Sequence, residues 1–93
     1  MATPWTVEFL PSAERELDTL PRLLRGAALD LILSFEDDPF PPDHLKLEGD
    51  NDLYRVRVDG WRIVYRVNPR RRRVRVERIR QRAVAYKGKN ILD

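Results

Sequence analysis

The segment 53–67 constrains the fold more than any other part of the sequence. Apolar residues alternate with arginines on both sides of an Asp59-Gly60 pair, and this pattern predicts two antiparallel strands joined by a two-residue turn. With that turn, Arg57 of the first strand lies opposite Arg62 of the second. One face of the predicted hairpin is aromatic and aliphatic, and the other carries Arg55, Arg57, Arg62 and Arg66.

The opposed arginines are a feature that folding alone does not favour, because like charges directly across a strand pair destabilise it. Arg57 and Arg62, with Arg55 and Arg66 beside them, therefore predict a bound anion. Phosphate is the natural candidate, since a guanidinium binds it with two hydrogen bonds and stays charged. The alternative is that the long side chains splay into water and cover apolar surface.

A strand and two short helices are predicted before the hairpin. Residues 5–9 alternate apolar and polar side chains, as in a strand, and Pro11 ends that strand. Ser12 is expected to cap the first helix, and Pro21 to be the first residue of the second. The apolar positions recur at helical spacing: Ala13, Leu17 and Leu20, then Leu24, Ala27, Ala28, Leu31, Ile32 and Phe35. A tight joint between them makes a helical hairpin.

A further strand is predicted over 73–80, and its alternation slips at Glu77-Arg78. A β-bulge would explain the slip, but the directions of Arg78 and Arg80 stay open, as does the structure of 81–93. The predicted order is β-α-α-β-β-β. The expected fold class is α+β, with the helical hairpin packed on the apolar face of a small, twisted antiparallel sheet and the other face basic.

The composition limits the class of protein. The 93 residues suit one small domain, 1–93. The sequence has no cysteine and a single histidine, His44, which excludes disulfide scaffolds, thiolate zinc sites, cysteine nucleophiles and histidine-rich metal sites. No apolar stretch approaches the ~20 residues of a membrane span, and no signal peptide opens the sequence. We therefore expect a cytoplasmic protein without metal, cofactor or membrane partner.

Charge is divided unevenly along the chain, although the net charge is only +3. Residues 1–53 carry four basic and twelve acidic side chains, whereas residues 54–89 carry fourteen basic and two acidic ones. Such a split predicts a polyanion, most naturally nucleic acid, in contact with the second half. A merely solvated basic face is the alternative.

The sequence resembles the RelE/ParE toxin superfamily, and within it the RelE branch of ribosome-dependent mRNA endonucleases. The resemblance is carried, in order over nearly the whole chain, by WTVEF, SAERELDTLP, DDPFPPDHLKLEG, LYRVRVDGWRIVYRV and a basic strand ending RIRQRAVAY. It implies the toxin of a type II toxin–antitoxin system that cuts mRNA in the ribosomal A site. The implied reaction is metal-free attack of a 2′-hydroxyl on the adjacent phosphate. The implied partners are a cognate antitoxin, mRNA and rRNA.

The same resemblance implies a catalytic cluster of basic residues and a tyrosine. By position these are Arg55, Arg57, Arg62, Arg80 and Tyr86. Arg62 is expected to clamp the scissile phosphate, Arg80 to stabilise or protonate the leaving 5′-oxygen, and Tyr86 to stack on a base. Further basic residues are expected to bind RNA: Arg66, Arg82, Lys87 and Lys46.

Positions 55 and 57 depart from the best-known RelE pattern, which has lysines there. Arginine does not readily give up a proton, so the general base stays open between Tyr86, Asp43 and His44. Two other functions also stay open: a ParE-type inhibitor of DNA gyrase, and a non-catalytic module that binds RNA or antitoxin on the same fold. Arg80 and Tyr86 favour the RelE branch, because ParE relatives generally lack that arginine and tyrosine set.

Overall fold

Two helices and five strands make up the part of the chain that the computed structural model describes, residues 4–49 and 52–81. In chain order they are β1 (Thr6–Phe9), α1 (Pro11–Asp18), α2 (Arg22–Ser34), β2 (Leu45–Lys46), β3 (Leu53–Val58), β4 (Trp61–Asn68) and β5 (Arg73–Gln81). The strands form one sheet in the order β1-β5-β4-β3-β2. The predicted α+β class, with a helical hairpin on one face of a small sheet, is confirmed.

The prediction of a wholly antiparallel sheet is wrong: the sheet is mixed, because β1 pairs with β5 in parallel, with Thr6 opposite Arg73. All other neighbours are antiparallel. Parallel strands need a long crossover connection, and here everything from α1 to β4 lies between the paired strands. The short strand β2 was also not predicted, because two residues are too few for an alternation to show. It extends the sheet beyond β3, with Leu45 opposite Arg55.

The β3–β4 hairpin has the predicted register. Val58 pairs with Trp61 across a two-residue turn. Asp59 takes a φ of 54° there, a left-handed conformation that aspartate tolerates better than most residues. Every later pair along the hairpin follows from this turn, so the apolar and basic side chains separate onto opposite faces.

A β-bulge in β5 decides where its last arginines point. β5 has one extra residue, Glu77, between the partners of Val64 and Tyr65. Beyond the bulge Arg80 pairs with Arg62, and directly paired residues share a face of the sheet. The predicted bulge is therefore confirmed, and it brings Arg80 onto the face that carries Arg62.

The core lies between the helices and the apolar face of the sheet. Phe35 stacks on Tyr65 with ring centroids 4.4 Å apart, and the Tyr65 hydroxyl donates to the carbonyl oxygen of Pro39 at 2.7 Å. Burial raises the pKa of that hydroxyl, so it stays a donor. The core cluster consists of Ala13, Leu17, Leu20, Ala28, Ile32, Phe35, Val56, Ile63, Tyr65, Val67, Val74, Val76 and Ile79.

The start of α1 differs from the expectation. Leu10 is the N-cap residue and Pro11 the first helical residue, a position where proline's missing N–H costs nothing. Ser12 does not cap the helix. Its hydroxyl donates instead to the carbonyl oxygen of Glu77 at 3.4 Å, which ties α1 to the bulge in β5.

In α2 two details are corrected. Pro21 is the N-cap, and the helix begins at Arg22. Ala27 is exposed, because the buried stripe passes through its neighbour Ala28 and then Ile32.

Neither helix of the described part combines the length and hydropathy that a membrane crossing requires.

Replacing Phe35 with alanine is expected to lower the free energy of unfolding by about 3–5 kcal/mol. The ring is fully buried against Tyr65, so its removal leaves a cavity. Urea denaturation followed by tryptophan fluorescence measures the change. Leu23→Ala is the matched control: that side chain is 89% exposed, and its loss is expected to cost less than about 0.5 kcal/mol. Equal costs for both would contradict this placement of the core.

Candidate nucleic-acid interface

Three arginines lie side by side across the three central strands. Arg57 of β3 pairs with Arg62 of β4, and Arg62 pairs with Arg80 of β5. We call Arg57, Arg62 and Arg80 the arginine row. The Cβ atoms of directly opposed residues stand about 5 Å apart, so the three arginine side chains start from neighbouring positions on one face of the sheet. An anion placed among them relieves their mutual repulsion.

The members of the arginine row differ in exposure. Arg57 is exposed, the side chain of Arg80 is 40% exposed, and Arg62 is only 1% exposed. A guanidinium stays charged at any relevant pH, and burying a charge is costly unless it is well paired. The Arg57 side chain therefore extends into water, but that of Arg62 does not. This argues against the alternative that the basic face is only solvated.

Arg55 lies on the same face, two residues before Arg57, and is 5% exposed. Its Nη1 donates to the backbone carbonyl oxygen of Asp43 at 3.2 Å. This contact fastens the loop before β2 to the sheet. Arg55 thus has a structural contact beside the arginine row, in addition to the charge it adds there.

Sequence reasoning missed the carboxylate that holds Arg80. Glu16 of α1 accepts a hydrogen bond from the Arg80 Nε through its Oε2, and its Oε1 accepts one from the backbone N–H of Ile79 at 2.8 Å. The Nη1 of Arg78 lies 3.6 Å from the same Oε2. Because β1 ends at Phe9, the last part of β5 has an open edge, and Glu16 covers it.

A weak signal for this role was present in the sequence. Glu16 stands three residues after Ala13 and next to Leu17, so helical spacing turns it partly towards the buried side. Its side chain is accordingly only 18% exposed. The spacing alone names no partner, because the bulge in β5 decides which residues meet it.

Two of the other predicted RNA-binding residues are described by the structure, Arg66 and Lys46, and they lie on opposite faces of the sheet. Arg66 lies on the face of the arginine row, and its Nε donates to Glu77 Oε2 at 3.0 Å. Lys46 pairs with Tyr54, whose side chain packs against the core, so the register places Lys46 on the helix-facing side instead. Three further predicted site residues lie outside the described residues: Arg82, Tyr86 and Lys87.

His44, one candidate for the general base, lies across the sheet from the arginine row. Its ring packs against Phe40 and Tyr54, with centroids 5.4 and 5.8 Å away, and its Nδ1 is 2.7 Å from the carbonyl oxygen of Pro41. Asp43 is exposed at the end of the same loop. The part of the chain that the structure describes brings no three His, Asp or Glu side chains together as metal ligands do.

Comparisons with known proteins identify the family and the fold. Residues 7–86 match the family described as the ParE toxin of type II toxin-antitoxin system, parDE. The archaeal RelE–RelB complex from Pyrococcus horikoshii is similar over 88% of this chain and 99% of that chain, with 26% identity and a TM-score of 0.78. No curated protein sequence matches.

Two other solved structures share the fold. The toxin–antitoxin complex RelBE2 from Mycobacterium tuberculosis is 23% identical over 85% of this chain and 99% of that chain, with a TM-score of 0.73. The isolated E. coli RelE toxin is 23% identical over 83% of each chain, also with a TM-score of 0.73.

Glu16→Ala is expected to lower the free energy of unfolding by about 1–3 kcal/mol, because it leaves the Ile79 N–H and two arginines without their carboxylate. Glu16→Gln keeps an acceptor for the N–H but loses the charge, so its cost is expected to be smaller. Urea denaturation measures both. The control is Glu14→Ala, an exposed position on the same helix; a loss there as large as for Glu16→Ala would contradict the assigned role.

Proposed function

The chain belongs to the RelE/ParE superfamily of type II toxins and has the fold of RelE toxins, and we propose that it is a ribosome-dependent mRNA endonuclease of the RelE-like branch that inhibits translation. The observation that carries the proposal is the arginine row, with Arg57, Arg62 and Arg80 in register across three strands. The proposed target places its action in the cytoplasm. Its proposed partners are mRNA in the ribosomal A site, rRNA and a cognate antitoxin.

The proposed reaction is attack by the 2′-hydroxyl of one nucleotide on the adjacent phosphate. The bond to the next nucleotide's 5′-oxygen breaks, which leaves a 2′,3′-cyclic phosphate and a 5′-hydroxyl. The transition state carries more negative charge on phosphorus-bound oxygens than the substrate does. Cations fixed in advance around that charge lower the barrier, and the arginine row supplies them without a metal ion.

Each member of the arginine row suits a different part of this task. Arg57 is exposed and is proposed to contact the phosphate, and the charge that develops on it in the transition state, from the solvent side. Arg62 is buried, where a charge acts through a lower dielectric and its field is stronger than in water. Arg80 is anchored through Nε by Glu16, so its terminal amino groups are held in place to face the leaving oxygen.

The general base is proposed to be Tyr86 or Asp43. His44 packs among aromatic rings on the helix-facing side, whereas the arginine row lies on the opposite face. Tyr86 has the position that the family resemblance assigns to a catalytic tyrosine. The backbone carbonyl oxygen of Asp43 accepts a hydrogen bond from Arg55, so Asp43 lies next to an arginine of the basic face.

The antitoxin partner is proposed to cover the helical hairpin. Three leucines of α2 are exposed, Leu23, Leu29 and Leu33, at 89%, 38% and 50%. Exposed apolar side chains grouped on one helix are typical of a protein-binding surface. Two of the similar structures are complexes of a toxin with its antitoxin, which supports a partner of that kind.

Inhibition of DNA gyrase is the second candidate function. The observation that favours it is the family match itself, since that family is described as the ParE toxin. A gyrase inhibitor needs no reaction at the arginine row. Supercoiling by gyrase in the presence of the purified protein therefore separates the two candidates.

Arg57→Gln is expected to slow mRNA cleavage in a purified translation system by about 10²-fold, the usual cost of removing one transition-state contact. Arg57 is exposed, so the variant is expected to fold, and circular dichroism checks this. Arg15→Gln on α1 removes the same charge from an exposed position outside the arginine row and is the matched control.

Equal cleavage by wild type, Arg57→Gln and Arg15→Gln would reject the assigned site. Intact mRNA combined with blocked supercoiling would identify a gyrase inhibitor instead. Neither effect would leave a module that binds RNA or antitoxin without catalysis.

A further inference from the structure

The arginine run 70–73 spans the end of the turn between β4 and β5 and the first residue of β5, and it has no part in the proposed cleavage site. Two adjoining depressions open beside it, with volumes of about 300 and 500 Å³. We call them together the turn groove. Its lining residues are Glu8, Arg66, Asn68, Arg70, Arg71, Arg73 and Arg75.

The turn that borders the groove is held in one conformation by several contacts. The Arg71 N–H donates to Asn68 Oδ1 at 3.2 Å, and the Thr6 N–H donates to the carbonyl oxygen of Arg72 at 2.9 Å. The Arg72 guanidinium stacks over the Trp5 ring at 4.5 Å. A binding surface that is already ordered loses less entropy when a ligand arrives.

Carboxylates orient some of the groove's arginines without cancelling their charge. Glu8 lies 3.8 Å from Arg73, and Glu77 lies 3.2 Å from Arg75. Arg71 makes no ion pair within residues 4–49 and 52–81. The arginines of the groove outnumber the carboxylates around it, so the groove keeps a positive charge.

We propose that the turn groove binds the phosphodiester backbone of single-stranded RNA. Guanidinium groups recognise phosphate with two parallel hydrogen bonds, and every residue that lines the groove is polar or charged. Nucleic-acid interfaces have this polar, positive character. The centre of a protein–protein interface is instead apolar and aromatic, which disfavours an acidic peptide as the occupant.

The groove lies on the same face of the sheet as the arginine row but at the other end of β4. Arg66 pairs with Arg75, and Asn68 with Arg73. Asn68 lies six positions after Arg62, which is roughly 20 Å along a strand. One phosphate cannot contact both places, so the groove takes nucleotides that flank the cut. A second contact of this kind fixes the direction of the bound RNA and raises the local concentration of its phosphates at the arginine row.

The choice of RNA as the anion rests on the proposed function, and the experiment therefore measures binding without cleavage. The probe is a short, labelled single-stranded RNA with 2′-O-methyl groups throughout, which 2′-hydroxyl attack cannot cut. Fluorescence anisotropy gives its affinity for the full chain at several salt concentrations. The groove variant is Arg71→Gln with Arg73→Gln, and the matched control is Arg15→Gln with Arg22→Gln in the helical hairpin.

Loss of two phosphate contacts is expected to reduce the slope of log affinity against log salt by about 1.4, since each contact on a single strand contributes about 0.7. The control is expected to keep the wild-type slope. A groove variant with the wild-type slope would overturn the proposal, and so would a control that loses as much as the groove variant. Displacement of the probe by polyglutamate of equal charge at equal concentration would assign the groove to acidic peptides instead.

The outcome is separable from that of the proposed function. If the salt dependence of probe binding is reduced in the groove variant while the wild-type protein leaves mRNA intact in translation, the groove proposal is supported and the cleavage proposal fails. If mRNA is cut but the probe binds equally well to wild type and the groove variant, the groove proposal fails alone.

Discussion

The register of the β3–β4 hairpin is the constraint on which the rest of the structure depends. A two-residue turn pairs Val58 with Trp61 and thereby Arg57 with Arg62. Because side chains alternate along a strand, a shift by one residue would exchange the two faces of the sheet. The same turn thus sends Tyr65 into the core against Phe35 and sets like charges opposite each other on the far side. The packing of the apolar face stabilises the hairpin and thereby offsets the repulsion between the arginines on the other face.

The strand β5 completes this arrangement through one irregularity and one helix contact. The bulge at Glu77 brings Arg80 beside Arg62, and Glu16 then holds Arg80 from the edge of the sheet. The same carboxylate accepts the backbone N–H of Ile79. Fold stability and the geometry of the arginine row therefore share a single side chain, so changes at Glu16 affect both.

Much of the fold followed from local patterns. The hairpin register was predicted because the Asp59-Gly60 turn is a strong local signal. The bulge was predicted because the alternation in β5 breaks at Glu77-Arg78. The parallel pairing of β1, the burial of Arg62 and the contact of Glu16 with Arg80 were not predicted, because each depends on residues distant in the sequence. Charge clustering pointed to the basic face, but charge and residue type alone did not reveal which face Lys46 and His44 occupy. Register, which charge does not reveal, places Lys46 on the helix-facing side, and His44 packs there among aromatic rings.

The central claim is that the arginine row serves an RNA reaction that needs the 2′-hydroxyl. The most direct measurement uses a purified translation system and an mRNA in which the nucleotide before the main cut carries a 2′-deoxyribose. Cleavage is predicted to disappear at that position alone, and the remaining cuts to end in 2′,3′-cyclic phosphate. Continued cleavage at the deoxy position would contradict the mechanism, because no attacking hydroxyl is present there.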